Sequence, residues 1–169
     1  MLAHARRAGG FTFLELVVVV ALLTIITAAI VPLYGASMGA MKRRAARGDL
    51  VATIQYLQEL SIRQSRELRL HLDKDTGNYW ATGWVAGIDE DATYMPLADT
   101  ALGETRQLPD SLQFGRVTAR RDRGGSYYIT FYPNGASDAA RIQLNGRKGD
   151  EKDIEIEITG ALGEILVTP

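Results

Sequence analysis

Few stretches of the sequence hold residue types whose spacing could do chemistry. Gly35-Ala-Ser37-Met-Gly39 fits the G-x-S-x-G pattern in which a serine nucleophile stands on a sharp strand-to-helix turn. That geometry needs a strand before the serine. Here an apolar run and Pro32 precede it, so small residues that let helices approach closely are the better reading. Asp73 to Asn78, DKDTGN, begins like a calcium loop, but the twelfth position, where an EF-hand places a bidentate Glu, is Trp84. It reads as a hairpin turn. Asp89, Glu90 and Asp91 are consecutive loop acids, which water solvates without a cation. Of the two histidines, His4 lies at the extreme N-terminus. His71 falls on the polar face of a predicted strand with no evident partner, so neither a histidine acid–base pair nor a metal site is expected. The chain has no cysteine, which excludes disulfides, thiol catalysis and thiolate metal ligands. No catalytic residue, metal or cofactor is expected.

One acidic residue remains unexplained. Between Phe11 and Met41 the only charged side chain is Glu15, near the start of FTFLELVVVVALLTIITAAIVPLY. About 20 helical residues cross the ~30 Å hydrocarbon core of a bilayer, and Phe11 to Tyr34 suffices. A charge in that setting costs about 2.5–3.5 kcal/mol on insertion scales. A secretory signal would account for Arg6, Arg7 and the small residues of YGASMGA, but its apolar core is shorter than this run. A plain anchor leaves Glu15 without a role.

The junction Gly10-Phe11 followed by Glu15 resembles the leader and N-terminal helix of type IV pilins and type II secretion pseudopilins. The resemblance implies that residues 1–10 are a leader and that prepilin peptidase cuts between Gly10 and Phe11. Phe11 is then N-methylated, Glu15 becomes the fifth residue, and Pro32 stands where the family often kinks the helix. The leader ends Ala-Gly-Gly, where the family more often has a basic residue before Gly. A freed α-amine has a pKa near 7.7–8.0 and is largely cationic at neutral pH. The family pairs the fifth-position carboxylate with such an amine on a neighbouring subunit, which sets register. Removing one partner of a buried pair costs about 3–5 kcal/mol.

The rest of the chain must supply a folded body. Leu50, Ile54, Leu57, Ser61 and Leu68 fall mostly at three- and four-residue spacings and predict an amphipathic helix lying on a sheet. Leu68, Leu70 and Leu72 alternate with Arg69, His71 and Asp73, which predicts a strand, and YWATGWV returns it. Residues 86–110 read as a long acidic loop. LQFGRVTAR, SYYITFY, ARIQL, DIEIEIT and EILVT read as successive strands of an antiparallel meander, separated by Gly- and Asn-rich turns. Trp80, Trp84, Tyr127 and Tyr128 are read as packing residues. The fold class is α+β: a long N-terminal helix, half transmembrane and half amphipathic, packed on an antiparallel sheet domain. The expected domains are 1–10 leader, 11–40 transmembrane and filament-core helix, and 41–169 periplasmic domain.

The strand ending Phe131-Tyr-Pro-Asn-Gly135 and the hairpin at Thr159-Gly160 resemble the globular domains of H-type minor pseudopilins and FimT-type minor pilins. This resemblance implies a structural subunit, not an enzyme. It would be anchored once in the bacterial inner membrane, with the leader end cytoplasmic and the domain periplasmic. Its partners would be the major and other minor pseudopilins, prepilin peptidase and the inner-membrane assembly platform. The alternative is a FimT-type pilin that primes type IV pili and binds DNA. Against DNA stand the net charge of -1, about -3 once Arg6 and Arg7 leave, and an acidic tail after the last basic residue, Lys152. No nucleic acid partner is expected.

Overall fold

The computed structural model describes residues 11–85, 93–97, 102–146, 153–160 and 163–168, with side chains inside the helix described except at 29 and 31–40. The chain divides into two compact units, Met1–Met41 and Lys42–Pro169. One helix, α1 (Phe13–Gln64), runs through both. The predicted DKDTGN loop and the acids at 89–91 part company here: the first is described, and Asp89, Glu90 and Asp91 lie outside the described residues.

In the second unit ten strands follow: β1 (Leu68–Leu72), β2 (Asn78–Val85), β3 (Thr93–Pro96), β4 (Arg106–Gln107), β5 (Leu112–Thr118), β6 (Arg120–Arg121), β7 (Tyr127–Phe131), β8 (Ala140–Gly146), β9 (Ile154–Ile158) and β10 (Ile165–Thr168). They form two antiparallel sheets. The first runs β3-β2-β1-β7-β6, with β4 also on β2, and the second runs β10-β9-β8-β5. The α+β class holds, but the C-terminal strands are not one meander. β7 keeps β6 on one side but takes β1, not β8, on the other, setting Leu70 opposite Ile129. LQFGRVTAR is two strands in two sheets. Its ladder to β8 slips between Phe114 and Val117, and the chain then crosses at Ala119 to join β7. Nor is 86–110 all loop, since β3 and β4 lie inside it and pair with β2.

The core follows from the two periodicities. Leu50, Ile54, Leu57 and Ser61 of α1 are completely buried. Leu68 is buried too, but the helix ends at Gln64 and Leu68 opens β1. Chain reversal occurs at Ser65, whose φ of 48° ends the helix in the left-handed region. Against this helical stripe lie Leu68, Leu70, Leu72, Ile129 and Phe131 from the first sheet, and Phe114, Ile142, Leu144, Ile156 and Ile158 from the second. Burying a side chain of this kind is worth about 1.5–3 kcal/mol, so this joint cluster holds helix and sheets together.

The two turns that carried the family resemblance meet on the helix. Gln58 donates its side-chain amide to the Gly135 carbonyl (3.1 Å), and Ser61 donates to that of Tyr132 (3.2 Å). Gly135 itself closes its turn at φ 85°, donating to the Tyr132 carbonyl. The second turn arrives through Ser137, whose N–H donates to the Gly160 carbonyl (2.9 Å). Gly163, at φ 60°, sits so close to the Gln58 amide and the Gly135 carbonyl that a Cβ there would collide with both.

Candidate assembly site

The N-terminal unit turns its apolar residues outward. Phe13 is 84% exposed and Leu14 72%, and the run stays exposed through Ala28. Its polar groups are handled within the helix. Thr24 and Thr27 donate their hydroxyls to the carbonyls of Val20 (2.8 Å) and Leu23 (2.7 Å), one turn back. That disposal suits an apolar environment, where an unpaired hydroxyl costs several kcal/mol. Glu15 differs. Its backbone N–H donates to the hydroxyl of Thr12 (3.2 Å), which makes Thr12 the helix cap and Glu15 the third helical residue. An acid in the first turn also faces the positive end of the helix dipole. Its carboxylate has no partner among the described residues.

Sequence reasoning assigned Glu15 a partner and missed its cap. The signal was present, because Thr12-x-x-Glu15 before an apolar run is the capping-box pattern. Phe11 is 81% exposed just before the cap. Residues 1–10, with Gly10 and His4, lie outside the described residues, as do the side chains of Pro32 and of the Gly35–Gly39 stretch. The helix assignment continues across position 32. Among the described residues no helix is long and apolar enough to cross a membrane.

In the second unit the other candidates resolve. Asp73 closes the DKDTGN turn upon itself: its carboxylate accepts from the Asp75 and Thr76 N–H groups and from the Thr76 hydroxyl (2.7 Å). The Thr76 bond leads in holding its pKa below the usual value. No metal-ligand cluster occurs among the described residues.

His71 overturns its expected place on a solvated face. It is buried, stacks on Trp80 at 5.2 Å and 4°, and shares a 3.0 Å hydrogen bond with Thr82. Asp122 lies 3.7 Å from Nδ1. The cause is cross-strand cover. Arg69, next along β1, is held between the rings of Tyr94 (3.4 Å) and Tyr128 (4.5 Å), and Tyr94 donates to Glu67 (2.6 Å). These long side chains roof the outer face of the first sheet. Burial is the main cause lowering the His71 pKa, against the opposing charge of Asp122, while burial and the Glu67 bond push Tyr94 up to about 12. Of the aromatic residues expected to pack, Trp80 does, whereas Trp84 is 39% exposed.

Two family models match. That of the prokaryotic N-terminal methylation motif covers residues 5–31, and that of the type II transport protein GspH covers residues 46–161, more than half the chain. The chain belongs to the GspH family. It is a minor pseudopilin of type II secretion, and its family is structural, inner-membrane-anchored and periplasmic in its folded domain. The fold agrees. Two structures of the minor pseudopilin EpsH from the type 2 secretion system of Vibrio cholerae superimpose with TM-scores of 0.56 and 0.58. Identity is 10% and 11%, and the match covers 75% and 78% of this chain and 96% and 97% of theirs. The type IV minor pilin FimU of Pseudomonas aeruginosa gives 0.52 at 15% identity, over 77% of this chain and 90% of that one. No curated protein sequence matches the chain.

Proposed function

We propose that prepilin peptidase cuts this chain between Gly10 and Phe11. Phe11 is then N-methylated, and the mature subunit enters a pseudopilus through the helix at 11–40, while 41–169 forms its periplasmic body. Pro32 bends that helix, and the leader end faces the cytoplasm. The other minor pseudopilins, the major pseudopilin and the inner-membrane assembly platform are its partners. The observation that supports this reading is the helix start: an outward-facing apolar surface whose one carboxylate, Glu15, sits at the first turn, next to where a new amine would appear. In a packed fibre the apolar surface is buried by neighbouring helices, and Glu15 pairs with the amine of an adjacent Phe11.

Intact mass and N-terminal sequencing of the full chain from cells that carry the peptidase test this. The expected N-terminal residue is methylated Phe11, and Gly10→Ala is expected to slow the cut. A start after Ala36 would mean cleavage as an ordinary secretory signal and would overturn the proposal.

A further inference from the structure

Among the described residues the two sheets have four edges, one of them shared by β3 and the two-residue β4, and three of the four carry features that discourage pairing. β3 ends in Pro96, which has no N–H to donate. β6 is two residues long and both are Arg. β5 is broken by its register slip between Phe114 and Val117. β10 has none of these. Its sequence is Ile-Leu-Val-Thr, without charge, bulge or proline, and among the described residues only β9 pairs with it. Leu166 and Val167 are 45% and 41% exposed. Edges left in this state are templates for another strand, and folded proteins normally blunt them.

The ladder shows which groups are on offer. Thr159 donates to the Glu164 carbonyl at the head of the β9–β10 hairpin. Alternation from that pair aims the N–H and C=O of Leu166 and Thr168 at β9, and those of Ile165 and Val167 outward. The side-chain rows define the rest. Ile165 and Val167 continue the apolar row of Ile158 and Ile156, while Leu166 and Thr168 lie beside Glu157 and Glu155. On that outer face Arg141 pairs with both Glu155 and Glu157, so the one guanidinium is shared between two acids, and Asp153 adds a third carboxylate.

We propose that β10 is an assembly edge, taking an extended segment of a different subunit as a fifth strand of the second sheet. The segment alternates apolar side chains, which extend the Ile158–Ile165 row, with Lys or Thr facing the Glu155 and Glu157 side. This rests on the reading of the chain as a fibre subunit.

The absence of native cysteine permits a direct test on the full chain assembled in membranes with its partner subunits. Thr168→Cys is treated with a short thiol-to-amine crosslinker, and Val18→Cys in the apolar run reports helix assembly separately. Val167→Pro deletes an outward N–H and leaves the β9 bonds, and Val167→Lys keeps the backbone but charges the edge. The expected result is a Thr168→Cys adduct to another subunit, lost in both Val167 variants, while the Val18→Cys adduct and the thermal midpoint are retained. A persisting Val18→Cys adduct with no Thr168→Cys adduct, or with one indifferent to both variants, would overturn the edge and leave the fibre reading standing. An adduct to a second copy of this chain would overturn the choice of occupant. Loss of both adducts in the unmodified background would overturn the fibre reading and the edge with it.

Discussion

The two units of the chain handle polar and apolar groups in opposite ways. Beyond Lys42, Leu50, Leu70, Ile129, Phe131 and Ile156 are fully buried, and polar groups such as His71 and Ser61 have partners in the same domain. Over residues 11–28 the apolar side chains are exposed, and the Glu15 carboxylate has no partner among the described residues. The domain buries its own apolar surface. On the proposed function, the N-terminal run has its surroundings supplied by lipid and then by other subunits. Folding and assembly are therefore separable by mutation, and each test below breaks one side of the contrast while the other serves as control.

The largest effect is expected from Glu15→Ala. On the proposed pairing, removing the carboxylate leaves a cationic amine at Phe11 of a neighbour in an apolar setting, at a cost of about 3–5 kcal/mol when the pair is fully buried. Fibre incorporation should fall to background. The domain should keep its thermal midpoint, because Glu15 belongs to the other unit of the chain. Fractionation of assembled from membrane-resident subunit, with a melt of the same variant, reads both. Normal incorporation would remove the pairing role from Glu15.

A smaller effect is expected in the domain, from acid. The folded state holds the His71 pKa below its ordinary value near 6.5, chiefly through burial. The unfolded chain therefore binds a proton more readily. The stability this gives is complete above about pH 6.5 and is lost as pH falls through the folded pKa. The thermal midpoint should hold steady above that pH and decline below it. Asp122 opposes the shift, so Asp122→Asn should carry the decline further down the pH scale. Carboxylates also contribute to acid sensitivity, so the comparison is with His71→Gln, whose curve should be flatter. Parallel curves for native and His71→Gln protein would mean that the histidine has no part in it.

How much of this the sequence discloses depends on how local the cause is. The stripe Leu50, Ile54 and Leu57, the alternation of β1 and the DKDTGN turn are set by neighbours a few residues away, and all were legible. The burial of His71 was not. It depends on Trp80, Tyr94 and Tyr128 from three other strands, and alternation alone assigns the position to water. The meander failed for the same reason, since β7 pairs with β1 across more than fifty residues of sequence. At the helix start the signal was local and two-fold. Thr12 and Glu15 form a cap through the Glu15 N–H, and Gly10-Phe11-x-x-x-Glu15 resembles a processing motif, so both patterns claim the same residue.

Thr12→Ala separates those claims, and its effect should be the smallest of the three. The hydroxyl of Thr12 takes the Glu15 N–H, and losing a cap costs about 1 kcal/mol. If Glu15 serves mainly the neighbour's amine, Thr12→Ala should fray the first turn and reduce incorporation only slightly, whereas Glu15→Ala removes it. Thr12→Ser, which retains the acceptor, should behave as native. Amide exchange at Phe13 to Glu15 in detergent micelles measures the fraying, and the fibre fraction measures assembly. Equal damage from Thr12→Ala and Glu15→Ala would place the requirement in the capped turn itself. Glu15 would then act by shaping the helix end, and the register of the fibre would have to be set elsewhere.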